Sequence, residues 1–281
     1  MWTRRKFLRR AGQSALAVAG AATAAVGYGL YEAAHVRVDR RVVPVPNLPP
    51  AFAGVTVGVL ADLHYGPWVS LDFVRAVVRQ ANALEPDLFA LVGDYGHRGT
   101  HAAEEIPPCL GELSALRAPL GVFAVPGNHD MGQGGKVYRE AVASTSLTDL
   151  TNRNEPVSRG ADKLWLAGVD DLWWGKPDQT AALRVPDGAA VVLLSHNPDF
   201  AELKPNPRVG LILSGHTHGG QVYLGEPGTR WLPSRYGAKY LRGLVAGPAS
   251  AVFVSRGLGE AGVPLRVNAP PEINVLTLVP A

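Results

Sequence analysis

The chain has 281 residues, 47% hydrophobic and 18% charged, which excludes a disordered protein and leaves room for one large domain or two small ones. Its net charge of +3 is set by the first 41 residues, which hold eight of 27 basic and two of 24 acidic side chains, leaving 19 against 22 in the rest. A mildly acidic body excludes a broad nucleic-acid surface, because counterion release needs clustered cations.

Thr3-Arg4-Arg5-Lys6-Phe7-Leu8-Arg9-Arg10 is basic, and Ala11 to Leu30 follows without a charge and rich in Ala and Gly. The Arg pair, the Phe-Leu after it and the weakly hydrophobic stretch resemble a twin-arginine export signal. Ala22-Thr23-Ala24 offers a small-residue cleavage site, yet the uncharged stretch also has the length to span a bilayer. Residues 1–41 are therefore expected to be a signal peptide or a membrane anchor, with the twin-arginine translocation machinery as partner. The protein is then expected to be exported and membrane-associated, at the outer face of the cytoplasmic membrane, in the cell wall or in the periplasm. Pro44, Pro46, Pro49 and Pro50 mark 42–52 as a linker into a domain over 53–281.

Within that domain one pattern recurs: an apolar run ends in residues that ligate metals. Val55–Leu60 leads to Asp62 and His64; Leu88–Val92 to Gly93-Asp94; Gly121–Pro126 to Gly127-Asn128-His129-Asp130. Ala189–Leu194 leads to Ser195-His196, and Val209–Leu213 to Gly215-His216-Thr217-His218. In α/β sheets ligands bind outside the carboxyl ends of the strands, so these ends are expected to meet in one crevice. Asp62 and His64 stand two apart, which on an alternating strand aims both at one face.

Between these runs, Ser70 is an N-cap for a helix over 71–84, with Phe73, Val74, Val77 and Val78 as its buried stripe. His97 and Arg98 lie in a loop from which either could reach an anionic substrate. Residues 102–116 have helical tendency interrupted by Pro107 and Pro108, and Lys136–Ala143 forms a short helix. Cys109 is the single cysteine, which excludes an intramolecular disulfide and a thiolate metal cage. Strands are expected over 149–157, 163–169, 221–224, 240–245, 251–254 and 273–278, and Trp173-Trp174 could line a ring-binding edge. Gly257-Leu258-Gly259-Glu260-Ala261-Gly262 matches a dinucleotide fingerprint, but Pro264 blocks the helix it needs, and no G-x-S-x-G occurs. Alternating β and α elements in front and strands behind point to two packed sheets with helices outside.

The ordered set Asp62-Leu63-His64, Gly93-Asp94, Gly127-Asn128-His129-Asp130, His196 and Gly215-His216-Thr217-His218 resembles the calcineurin-like metallophosphoesterases. With the leader, it is most similar to an exported phosphodiesterase-like branch. The resemblance implies an α-β-β-α sandwich of two mixed sheets in four layers, and two divalent ions, Mn, Fe or Zn. One ion would be held by Asp62, His64, Asp94 and His218, and the other by Asp94, Asn128, His196 and His216. It further implies hydrolysis of phosphodiester or pyrophosphate bonds by a metal-bridging hydroxide, with His129 protonating the leaving oxygen and Asp130 orienting that imidazole. A phospholipid or UDP-sugar-lipid pyrophosphate hydrolase, with Trp173-Trp174 against the substrate, is one alternative. A non-catalytic metal-binding scaffold is another.

Overall fold

The computed structural model describes residues 3–226 and 232–281. A long helix, α1 (Arg4–Ala34), leads into β1 (Arg37–Val45). The front half then alternates: β2 (Thr56–Leu60), α2 (Leu71–Asn82), β3 (Leu88–Val92), α3 (Ala102–Leu113), β4 (Val122–Val125), α4 (Lys136–Ala143) and β5 (Thr148–Asp149). The back half is strand-rich: β6 (Arg153–Arg159), β7 (Asp162–Gly168), α5 (Gln179–Ala182), β8 (Ala190–Leu194), α6 (Phe200–Leu203), β9 (Leu211–Ser214), β10 (Gly243–Ala246), β11 (Ala251–Val254) and β12 (Glu272–Pro280).

Among the described residues these strands make two six-stranded mixed sheets, ordered β1-β12-β2-β3-β4-β5 and β10-β11-β9-β8-β7-β6. The period of two in the apolar runs decides the layers. Along β3, Leu88, Ala90 and Val92 join the core between the sheets, while Phe89 and Leu91 face the helices. Along β8, Ala190, Val192 and Leu194 point between the sheets and Val191 and Leu193 outward. Strands buried on both faces must be apolar at every position, which is how these runs read. The result is the four-layer α-β-β-α sandwich.

Strands β2 to β5 are mutually parallel, as are β7, β8, β9 and β11, so within each sheet the carboxyl ends share one edge. The two edges adjoin: His196, just past β8, bonds through Nδ1 to the Val92 carbonyl at the end of β3, 2.8 Å away.

Three expectations are corrected here. Residues 42–45 of the expected linker belong to the sheet: β1 runs parallel to β12 along nine paired positions, and Val43 and Val45 are buried in the core between the sheets. Of the prolines that suggested a loop, Pro44 sits on this edge strand, where a missing N–H costs no ladder bond, and Pro46, Pro49 and Pro50 lie past its end. Helix α3 is continuous through Pro107 and Pro108, which fall in its second turn and leave without a partner only carbonyls of its exposed first turn. Residues 221–224 form no strand; Gln221 has φ 45°, and Val222 makes an isolated bridge to Val267.

Because Val43 lies in the core, Val43→Ala is expected to cost about 1–3 kcal/mol in urea unfolding, whereas a linker substitution stays within about 0.5 kcal/mol.

Candidate metal centre

Backbone bonds between the strand exits build the site first. The N–H groups of Asp62, His64 and Tyr65 donate to the carbonyls of Gly93, Asp94 and Tyr95, zipping the exit of β2 to that of β3. Asp62 and His64 thus lie beyond β2 rather than on it. Both have left-handed backbones, φ 52° and 48°, as do Asp94 (57°), His216 (72°) and His218 (53°). Such conformations cost about 1–3 kcal/mol each and persist where the surroundings fix them. They turn each side chain off the strand direction into the shared crevice, which strand alternation alone would not do.

Two glycines make the close approach possible. A Cβ at Gly127 would stand 2.2 Å from Asp94 Oδ1, and one at Gly215 would stand 2.3 Å from Asp62 Oδ2. Any side chain at either position would displace a carboxylate.

The side chains form overlapping groups: Asp62, His64 and His218; Asp94, His196 and His216; and His64, Asp94 and His129. His64 Nε2 is 3.0 Å from His218 Nε2 and 3.4 Å from Asp94 Oδ2. His196 Nε2 is 3.1 Å from the same Asp94 oxygen and 3.3 Å from His216 Nδ1. Asp62 Oδ1 lies 3.5 Å from His218 Nε2 and accepts the His216 N–H at 2.9 Å. Asp94 therefore stands between two donor sets.

The electrostatics call for positive charge at the centre. Burial pushes His64 and His218 well below the ordinary imidazole range, and His216 down to about 3, so all three present neutral nitrogens. Burial pushes Asp62 up to about 7, whereas Asp94, despite burial, is held well below its usual range by His196, His129 and His64. His196 is buried too, but Asp94, Asp62 and Asp171 together push it up to about 10. A proton is drawn to the place where a cation would satisfy more donors. Asn128, on the cleft wall, has a buried Oδ1 without a hydrogen-bond partner among the described residues. Carboxylate, amide oxygen and neutral imidazole without thiolate are the donors a borderline divalent ion takes, so the residues present fit metal ions.

Asp130 does something other than orient His129. Its carboxylate accepts the N–H groups of Asp94 (2.7 Å), Tyr95 (2.9 Å), Gly96 (3.2 Å) and Gly127 (2.8 Å), tying the β3 exit to the β4 exit. The His129 imidazole instead pairs through Nδ1 with the His97 carbonyl, 2.5 Å away. His97 is buried behind the site with its ring 6.3 Å from that of His129, and contributes through its backbone. Arg98 is exposed outside the cleft lining. Trp173 lines the cleft, edge-on to His216 at 4.4 Å, whereas Trp174 is 71% exposed and outside it.

Residues with no sequence signal complete the surroundings. Glu105 accepts the N–H groups of His97 and Arg98, both at 2.7 Å, and so fixes the carbonyl that holds His129. Arg266 is fully buried; its guanidinium binds the carbonyls of Gly259, Arg256 and Ala269 and lies 3.4 Å from His218 Nδ1. A lone Glu in a helix and a lone Arg after Pro264-Leu265 give no pattern to read.

The cleft over the cluster measures about 510 Å³. Residues 55–220, which contain every strand exit described above, match the model of the calcineurin-like phosphoesterases. The chain belongs to that family. It is a metal-dependent phosphoric ester hydrolase, and the family's use of divalent metals agrees with the donor set. Among relatives, it is 34% identical to the uncharacterized metallophosphoesterase YkuE of Bacillus subtilis over 98% of this chain and 97% of that one. It is 31% identical to the phosphodiesterase YaeI of Escherichia coli, covering 78% of this chain and 80% of that protein. It is 32% identical to a bovine transmembrane protein with metallophosphoesterase domain, covering 84% of this chain and 55% of that one.

Asp130→Ala is expected to strip an acceptor from four N–H groups and to cost about 3 kcal/mol or more in unfolding, as broken buried charge networks do. A carboxylate serving only the imidazole would leave the melting curve nearly unchanged.

Proposed function

We propose that this phosphoesterase is exported and hydrolyses phosphodiester or pyrophosphate bonds of the cell envelope with two divalent ions, Mn, Fe or Zn. The observation that carries the reading is the position of Asp94, whose Oδ2 serves His64 on one side and His196 on the other. One ion would be held by Asp62, His64, Asp94 and His218, and the second by Asp94, Asn128, His196 and His216. The pair, when bound, supplies Lewis acidity toward the phosphoryl group and the attacking water.

The remaining steps belong to the chain's own groups. With Nδ1 of His129 donating to the His97 carbonyl, Nε2 is the atom whose proton can change hands. It lines the cleft beside Asn128 and gives that proton to the departing oxygen. Asp130, Glu105 and Arg266 hold the loops so that this geometry is ready before substrate arrives. Trp173 presents an apolar edge, which favours substrates with a ring or lipid portion and keeps lipid-linked pyrophosphates as the second reading.

Export is supported by the basic segment at the start of α1 and by the absence of charge from Ala11 to Leu30. The Arg pair would engage the twin-arginine translocation machinery, and folding before export would allow metal loading in the cytoplasm. The phosphodiester preference draws support from the similarity to the Escherichia coli phosphodiesterase YaeI.

Protein stripped of metal is expected to be inert toward a chromogenic phosphodiester and to regain turnover with Mn, Fe or Zn, at a rate above that on the matching monoester. In the same assay His129→Ala should retain two equivalents of metal and lose turnover by about 10²- to 10⁴-fold. Two bound equivalents with no turnover of any phosphoester would instead favour the scaffold reading, and an unaltered rate in the variant would remove His129 from the mechanism.

A further inference from the structure

Helix α1 is exposed over most of its length, and it is long and apolar enough to cross a membrane. Its last turns are not free of the domain. The Gly29 carbonyl accepts the Arg266 N–H at 3.2 Å, and a Cβ at Gly29 would meet Leu265 Cδ2 at 3.2 Å. Glu32 is buried, and its carboxylate accepts the Ala269 N–H at 2.8 Å. Leu30, Ala33 and Ala34 share a pocket with Trp68, Phe73 and Pro264.

These contacts fix a depth. The uncharged stretch Ala11–Tyr31 contains 21 residues, or about 30 Å of helix, the thickness of a bilayer's hydrocarbon core. Gly29 and Leu30 lie inside that stretch and Glu32 just beyond it. Whatever packs on Gly29 therefore sits at the boundary between hydrocarbon and headgroups, and what packs is the loop Pro264-Leu265-Arg266.

The same loop forms the rim of the metal cleft. Ala261 and Val263 line it together with Val222, and Gln221 clamps the rim by binding the carbonyls of Ala261 and Val263 and the Ala261 N–H. Large apolar side chains are exposed on and beside that rim: Val263 at 47%, Leu224, two residues after Val222, at 74%, and Trp68, which shares the neighbouring pocket with Pro264, at 48%. Tyr223, between Val222 and Leu224, borders a second hollow with Tyr28, Arg37, Arg242 and Asn268 at the foot of the helix. Tryptophan and tyrosine favour the interfacial layer, and arginines beside them suit anionic headgroups.

We infer that α1 is retained as a membrane anchor and that the exposed apolar residues on and beside the rim, Val263, Leu224 and Trp68, are seated in a bilayer surface containing anionic lipid. The basic residues Arg4 to Arg10 stay on the cytoplasmic side, by the positive-inside preference, and the domain lies on the other. The mouth of the metal cleft then opens within the headgroup layer, and a phosphoester approaches the cluster from the lipid side. The catalytic part rests on the proposed hydrolase reading; the seating does not.

Cys109 is the sole cysteine and is buried, so single nitroxide labels can be placed in the full chain through Val263→Cys, Leu224→Cys and, at the far pole on β7, Lys163→Cys. In vesicles of phosphatidylcholine with phosphatidylglycerol, the ratio of oxygen to nickel-chelate accessibility is expected to be severalfold higher at Val263 and Leu224 than at Lys163. Equal ratios at all three sites, or membrane-recovered protein whose chain begins after Ala24, would overturn the inference. The readout involves no turnover, so failure of the hydrolase reading shows separately as an inert enzyme with a normal depth profile.

Discussion

Four backbone N–H groups converge on one buried carboxylate, that of Asp130, and the site depends on that convergence. Two strand exits, after β3 and β4, are tied by it into one unit. The zip between the exits of β2 and β3 adds a third, and the bond from His196 to the Val92 carbonyl brings in the second sheet. Burial pushes the Asp130 carboxyl up to about 7, with the neighbouring Asp94 charge adding to it, so the N–H donors are what favour its charged form.

That scaffold carries a cost which explains its rigidity. Five residues of the cluster have left-handed backbones, and two carboxylates lie among buried imidazoles away from water. Neither arrangement would persist on a mobile loop. Both are tolerated because the sheets beneath are apolar on both faces and because bound cations would satisfy the charge. Strain, charge and donor atoms thus point to the same few cubic ångströms.

The N-terminal helix and the cleft, far apart in sequence, meet through one loop. Residues 256–271 touch α1 through Leu265, Arg266 and Ala269, support His218 through Arg266, and line the cleft through Ala261 and Val263. The orientation of the cleft relative to the helix is consequently built into the fold and is not left to a tether.

Much of this was legible in the sequence, since a strand buried on both faces must be an apolar run, and donor residues at the ends of such runs stand out. The family pattern, the two-sheet sandwich and the cluster's membership followed from that local signal. Tertiary structure decided the rest, for reasons that no local pattern carries. Pro44 marks a loop unless an edge position is known, so the last residues of β1 read as a linker. Asp130 follows His129 in sequence, yet its carboxylate turns back to the N–H groups of another strand's exit, and the imidazole takes a carbonyl from His97. Glu105 and Arg266 work by binding main-chain atoms, which any sequence possesses, so nothing in their neighbourhood announces them. The sequence by itself determined which chemical groups are present and in what order; only the packing of the two sheets decided which atoms face each other.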